Sequence, residues 1–188
     1  MKRIIALILS IGMVLLLCAC GEKKENNESE HSVDVEYYAK IGQIPEHTYH
    51  LGSDAEEMEE AFEEENKKHA QENPDAHLHS VYGFMERDNY SILAYKNANY
   101  YFKDDGKISA VVSLDDAYGF KIGDLSVEIK KALGKFELEE KKGTQDVIFF
   151  LPSAESFTYF EHTFGENKVI FVFQDNALCA VALVGKDF

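Results

Sequence analysis

Laid over itself at an offset of 71 residues, the chain meets a second, degenerate copy of its own helix lead-in. Leu51, Gly52, Ser53, Met58, Ala61 and Phe62 fall on Ile122, Gly123, Asp124, Ile129, Ala132 and Leu133. The same offset sets Phe102 and Asp104 on Phe173 and Asp175. Dropping one residue in the turn then brings Ile108, Ala110 and Val111 onto Leu178, Ala180 and Val181. Register kept from a helix to the last hairpin, across a divergent middle, is what a tandem repeat leaves behind. The competing reading is a single α+β domain with coincidental similarity.

Each copy has local signals of its own. Ser53 with Glu56 three residues on forms a capping box, and Asp54, Glu56 and Glu57 suit the positive end of a helix. Ala55, Met58, Ala61 and Phe62 recur at helical spacing, and Asn73-Pro74 provides a stop. Strands are predicted over Val81–Glu86, Tyr90–Tyr95, Asn99–Phe102 and Lys107–Leu114, separated by Asp, Asn and Gly turns. In the second copy Asp124 is the predicted cap, Leu125, Ile129, Ala132 and Leu133 the stripe, and Gly134 the left-handed C-terminal cap. Lys141-Lys142-Gly143 reads as a loop. Strands follow over Val147–Leu151, Phe157–Phe164, Lys168–Phe173 and Leu178–Val184. The expected fold is α+β: two tandem repeats, each a helix or helical hairpin packed on a roughly four-stranded antiparallel meander, over 37–116 and 117–188. Glu63 stands where the second copy has Gly134, so one long helix and two short ones both remain open for the first.

The beginning of the chain carries a different kind of signal. Lys2 and Arg3 precede an apolar run from Ile4 to Leu17, broken only by Ser10 and Gly12. That run is shorter than the ~20 residues a bilayer span needs, so it reads as a signal-peptide core. It ends in Leu17-Cys18-Ala19-Cys20-Gly21, which resembles the lipobox of bacterial lipoproteins. The resemblance implies cleavage after Ala19, a diacylglycerol on Cys20, and a location on the extracytoplasmic side of a bacterial membrane. Residues 1–19 are then the signal and 20–36, nearly devoid of apolar residues, a flexible acidic tether.

Charge and cysteine usage narrow the partners. The formal charge is −15, and loss of Lys2 and Arg3 leaves 17 basic against 34 acidic residues, or −17. Such a surface repels nucleic acid and anionic headgroups. Of the three cysteines, Cys18 leaves with the signal and Cys20 carries lipid. Cys179 remains alone, so the exported part holds itself together without an intramolecular disulfide.

A helix followed by a curved antiparallel meander, twice, resembles the β-lactamase inhibitor protein architecture and the small outer-membrane assembly lipoproteins. The residues that carry this are Ile122-Gly123-Asp124, the Ile129-x-x-x-Leu133-Gly134 exit and the aromatic-rich strands. The resemblance implies a concave sheet face that grips another envelope or extracellular protein. Tyr90, Tyr95, Tyr101 and Tyr159 are the candidate contact residues, tyrosine being favoured at binding hot spots. The alternative is capture of zinc or a small ligand by His47, His50, His69, His77 and His79, five of the seven histidines. No spacing among them matches a known site. No nucleophile elbow, phosphate loop or zinc-protease motif occurs, so no catalytic residue and no cofactor beyond the Cys20 lipid is nominated.

Overall fold

The computed structural model describes residues 33–72, 74, 82–87, 90–95, 97–143, 157–186 and 188. Helix α1 (Val35–Lys40) begins where the Asp34 carboxylate accepts a hydrogen bond from the Tyr37 N–H at 3.1 Å. It ends in a left-handed Gly42 (φ +74°), whose N–H reaches Ala39 O while Gln43 N–H reaches Tyr38 O. This pair of bonds closes the last carbonyls of the helix. The helix starts inside the span expected to be tether and buries Val35 and Ala39.

Helix α2 (Ala55–Glu72) is one helix of 18 residues, which answers the question left open for the first half. Its apolar stripe is narrow: Ala55, Met58 and Phe62 are buried, whereas Glu56, Glu57, Glu60, Glu63 and Glu64 face solvent. Helix α3 (Ser126–Ala132) is shorter and buries Ile129. The strands are β1 (Tyr82–Arg87), β2 (Tyr90–Tyr95), β3 (Ala98–Phe102), β4 (Ile108–Ser113), β5 (Glu139–Gly143), β6 (Phe157–Phe164), β7 (Asn167–Gln174) and β8 (Ala177–Val184). The Val147–Leu151 strand expectation lies outside the described residues.

The two-repeat architecture does not hold. All eight strands belong to one antiparallel sheet in the order β1-β2-β3-β4-β8-β7-β6-β5. β4 is hydrogen-bonded to β8, with Ala110 opposite Val184 and Val112 opposite Ala182. There are therefore not two helix-on-meander units, each with a sheet of its own, but a single sheet carrying three described helices of unequal length. The physical reason lies in the last strands. β4 and β8 are buried along nearly their whole length, and left as sheet edges they would expose unpaired amides beside apolar side chains. Joining them removes both edges.

What recurs at the 71-residue offset is a local fastening inside that sheet. Gly52 N–H donates to Ile108 O (2.8 Å), Ile108 N–H to Ser53 O (3.0 Å) and Ala55 N–H to Gly106 O (2.9 Å). In the same way Gly123 N–H donates to Leu178 O (2.8 Å), Leu178 N–H to Asp124 O (2.8 Å) and Ser126 N–H to Asn176 O (2.9 Å). Each helix lead-in is thus laced onto a hairpin turn as if it were a short extra strand. Gly52 (φ +81°) and Gly123 (φ +98°) supply the left-handed bend that lacing requires.

This geometry also corrects the expected caps. Ser53 Oγ and Asp124 Oδ2 accept from the N–H three residues earlier, His50 (3.1 Å) and Lys121 (2.8 Å), instead of capping the helices that follow. The Asp54 carboxylate accepts from Glu56 N–H at 3.1 Å at the start of α2, and the N-cap of α3 is Leu125, without a side-chain bond. Gly134 is not left-handed. Leu133 closes α3, its N–H bonded to Ile129 O.

Both long hairpins carry a β-bulge at the matching place, between Tyr101 and Phe102 and between Val172 and Phe173. Ser109 Oγ donates to Tyr101 O at 3.1 Å, and Cys179 Sγ donates to Val172 O at 3.3 Å. Cys179 thus places a thiol where the other hairpin has a hydroxyl.

Candidate functional site

The sheet separates two apolar clusters. On one face Leu93, Tyr100, Val111, Phe171, Val181 and Leu183 pack with the buried residues of α1, α2 and α3. The opposite face forms a second cluster, and no residue of the three described helices belongs to it. A sheet apolar on both faces is unusual for an antiparallel architecture, in which one face ordinarily meets water.

Strand pairing sets the relief of that far face. At its centre β4 and β8 present Ala110, Val112, Ala180 and Ala182, all fully enclosed. Val112 lies opposite Ala182, which lies opposite Ile170 of β7; Ala180 lies opposite Val172, which lies opposite Tyr159 of β6. Larger side chains stand at both margins: Tyr90, Ile92 and Tyr101 on β2 and β3, Phe157 and Tyr159 on β6. Tyr101 and Tyr159 sit four strand positions apart, about 19 Å at the usual ~4.8 Å spacing. Small residues thus lie enclosed at the centre of this face between two aromatic margins, and the partly exposed members of the cluster are Tyr90, Ile170, Cys179 and Phe188.

Three of the four predicted contact tyrosines share this face, but at different depths. Tyr101 is 1% exposed and Tyr159 is 8% exposed, so both are built into the cluster. Tyr90 is half-buried; its ring lies 4.6 Å from Phe188, and the Lys103 ammonium stands 5.4 Å over it. Phe188 also meets the Tyr101 ring edge-on at 5.8 Å. Tyr95 belongs to the helix side, stacked on Phe62 at 3.8 Å with its hydroxyl donating to Glu65.

Phe188 and Ile170 were not singled out by sequence reasoning. Both are partly exposed and pack against the far-face cluster. Past Val184 and Phe188 the face opens into a cleft of about 470 Å³ between the β6–β7 turn and the chain end, rimmed by Thr163, Lys168 and Lys186. This margin carries both signs of charge, Lys168 and Lys186 beside Glu166. The lysines are engaged there, Lys186 with Glu166 at 2.9 Å and Lys168 with Glu161 at 3.8 Å.

The histidines do not form a comparable site. His47 and His50 lie on the loop before α2, and His69 in its last turn; His77 and His79 lie outside the described residues. His50 Nδ1 sits 2.9 Å from Ser53 Oγ. The His47 ring meets Tyr100 edge-on at 6.4 Å, and its Nε2 is buried with no hydrogen-bonding partner among the described residues. Burial pushes the His47 pKa down, and the Glu46 and Asp115 carboxylates pull it back in part. Among the described residues no three His, Cys, Asp or Glu side chains are grouped so as to hold a metal ion.

Cys20 lies outside the described residues, and no described helix is long and apolar enough to cross a membrane. No protein-family model and no curated protein sequence matches the chain. The chain is similar to the crystal structure of a DUF4309 family protein (YjgB) from Bacillus subtilis. That likeness covers 85% of this chain and all of the other, with a TM-score of 0.51 and 14% identity. At that identity it speaks for a shared fold.

Proposed function

We propose that this protein is a lipid-anchored, extracytoplasmic binding module that holds another protein against the sheet face away from its helices. The anchor is Cys20, and the tether after it gives the domain reach from the membrane. The observation that carries the reading is a second apolar cluster on the sheet face away from α1, α2 and α3, enclosed at its centre and reaching solvent at its border. The partly exposed residues at its border, Tyr90, Ile170 and Phe188, make the contact. Tyr101 and Tyr159, which are buried, shape the surface from beneath.

The test separates the two roles. Ile170→Glu places a charge on the far face without emptying the core, and it abolishes recovery of the bound protein at an unchanged melting temperature. Val127→Glu, on the solvent side of α3 where Val127 is 67% exposed, leaves recovery intact. Equal loss from both variants, or from neither, refutes the assignment. Cys20→Ser moves the protein out of the membrane fraction; retention there refutes the anchor.

A further inference from the structure

The loop between α1 and α2 is fastened to the loop between β4 and α3 through Glu46. Ala117 and Phe120 exchange backbone hydrogen bonds (2.9 and 3.0 Å) across a two-residue turn. Its central residues, Tyr118 (φ +54°) and Gly119 (φ +77°), are both left-handed. Such a turn presents successive N–H groups on one side, which form a cradle for an anion. The Glu46 carboxylate fills it, Oε2 accepting from Tyr118 N–H at 2.9 Å and Oε1 from Gly119 N–H at 2.8 Å. A tyrosine in this conformation is strained, so the turn depends on the clamp and on the burial of its ring.

The next residue is His47. The groups facing its imidazole are Glu46 from its own loop, Asp115 from the β4–α3 loop, and the Tyr100 ring from β3, with Tyr49 behind it at 6.0 Å from Tyr100. Neither carboxylate is idle. Glu46 holds the turn, and Asp115 accepts from Asn97 Nδ2 and from Asp116 N–H, both at 2.9 Å. Burial pushes the Tyr100 hydroxyl up to about 12, so that ring stays neutral throughout the physiological range. Each oxygen of both carboxylates thus already accepts one hydrogen bond, so a second proton on the imidazole must compete for Glu46 or Asp115 with the groups they hold.

We propose that Glu46, His47 and the Tyr118–Gly119 turn form an acid-released clasp. Protonation of the half-buried imidazole, whose Nε2 is enclosed, either draws Glu46 off the two amides or carries the loop outward into water. Both outcomes unclamp the turn and loosen Tyr118 and Phe120 from Phe171, their neighbour on β7 (ring centroids 6.5 and 5.5 Å). The far face of the sheet takes no part, so the clasp stands independently of the binding surface proposed above.

Hydrogen exchange read by mass spectrometry on the full chain in detergent tests this. Protection of the segment 115–120, corrected for the intrinsic exchange rate at each pH, is followed from pH 7.5 to 5.0 against β8. With one coupled proton, the open population rises up to about tenfold per pH unit once the neutral imidazole is titrated in the open state. The wild-type segment loses protection accordingly while β8 does not. His47→Gln and His47→Phe, a polar and an apolar ring or amide that cannot titrate, hold protection constant over this range. Glu46→Gln leaves the segment unprotected at every pH. The proposal is overturned if the wild type shows no loss above pH 5, or if both His47 variants lose protection as the wild type does.

Discussion

Replacing Tyr118 by phenylalanine should make this protein more stable. The Tyr118 side chain is fully enclosed, and its hydroxyl has no hydrogen-bonding partner among the described residues. Burial, with Glu46 nearby, pushes its pKa upward, so ionisation offers the group no relief. A buried hydroxyl that has lost its water bonds costs ~1–3 kcal/mol. Removing the oxygen recovers that cost, less a fraction lost to the small void it leaves. The ring contacts to Phe171 and the two backbone bonds to Glu46 are untouched. The expected gain is about 1–2 kcal/mol. With a urea dependence of ~2 kcal/mol/M, common for small domains, the unfolding midpoint rises by roughly 0.5–1 M at an unchanged slope. Equilibrium urea unfolding followed by circular dichroism measures both quantities. A midpoint that falls instead would show that the hydroxyl is hydrogen-bonded, since cutting a satisfied bond costs ~1 kcal/mol, and the reasoning would fail.

Three further outcomes follow from the same structure. Gly52→Ala and Gly123→Ala meet no atom within 4 Å of the added carbon, so each loses only the cost of a left-handed alanine, ~1–2 kcal/mol; thermal unfolding should rank the two alike, and a neutral Gly123→Ala would contradict the lacing. Cys179→Ser keeps a donor for Val172 O and should stay within about 1 kcal/mol of the wild type, whereas Cys179→Ala loses the bond; the order is read from urea midpoints. Because His47 has a lowered pKa in the folded state, its contribution is fully present above pH 6.5. It is lost as pH falls from there through the folded value, with a slope of at most ~1.4 kcal/mol per pH unit that solvent contact reduces further. His47→Gln should flatten that part of the stability–pH curve.

Much of the strand layout was legible because period-two alternation and Asp, Asn and Gly turns coincide. β2 and β6 have the predicted limits, and most other strands shift by a residue. β5 was missed because Glu139-Glu140-Lys141-Lys142 carries no apolar signal. As the terminal strand of the sheet it needs none, and its charges guard the edge. The caps were misplaced because Ser53 and Asp124 bond backward to residues 50 and 121, which is chemically as good as bonding forward into the helix. The offset of 71 was real, but it records a fastening of helix lead-ins to turns and bulges, not separate sheets. One signal against separate sheets was available. Ala177-Leu-Cys-Ala-Val-Ala-Leu-Val184 is apolar throughout, as a strand covered on both faces must be. For the contact residues, strand alternation puts Tyr101 and Tyr159 on the far face but carries no information about depth. Tyr95 was misread with them because the Phe62 ring that claims it lies 33 positions away in sequence.

The proposed function places the partner on the sheet face away from the helices. Site-specific photocrosslinking in intact cells tests it most directly, with the reactive residue placed at 90, 170 or 188 on that face and at 37 or 127 on the exposed helix side. A shared adduct from the first three positions, absent from the last two, is the result predicted. Adducts from positions 37 and 127, with none from 90, 170 or 188, would contradict it.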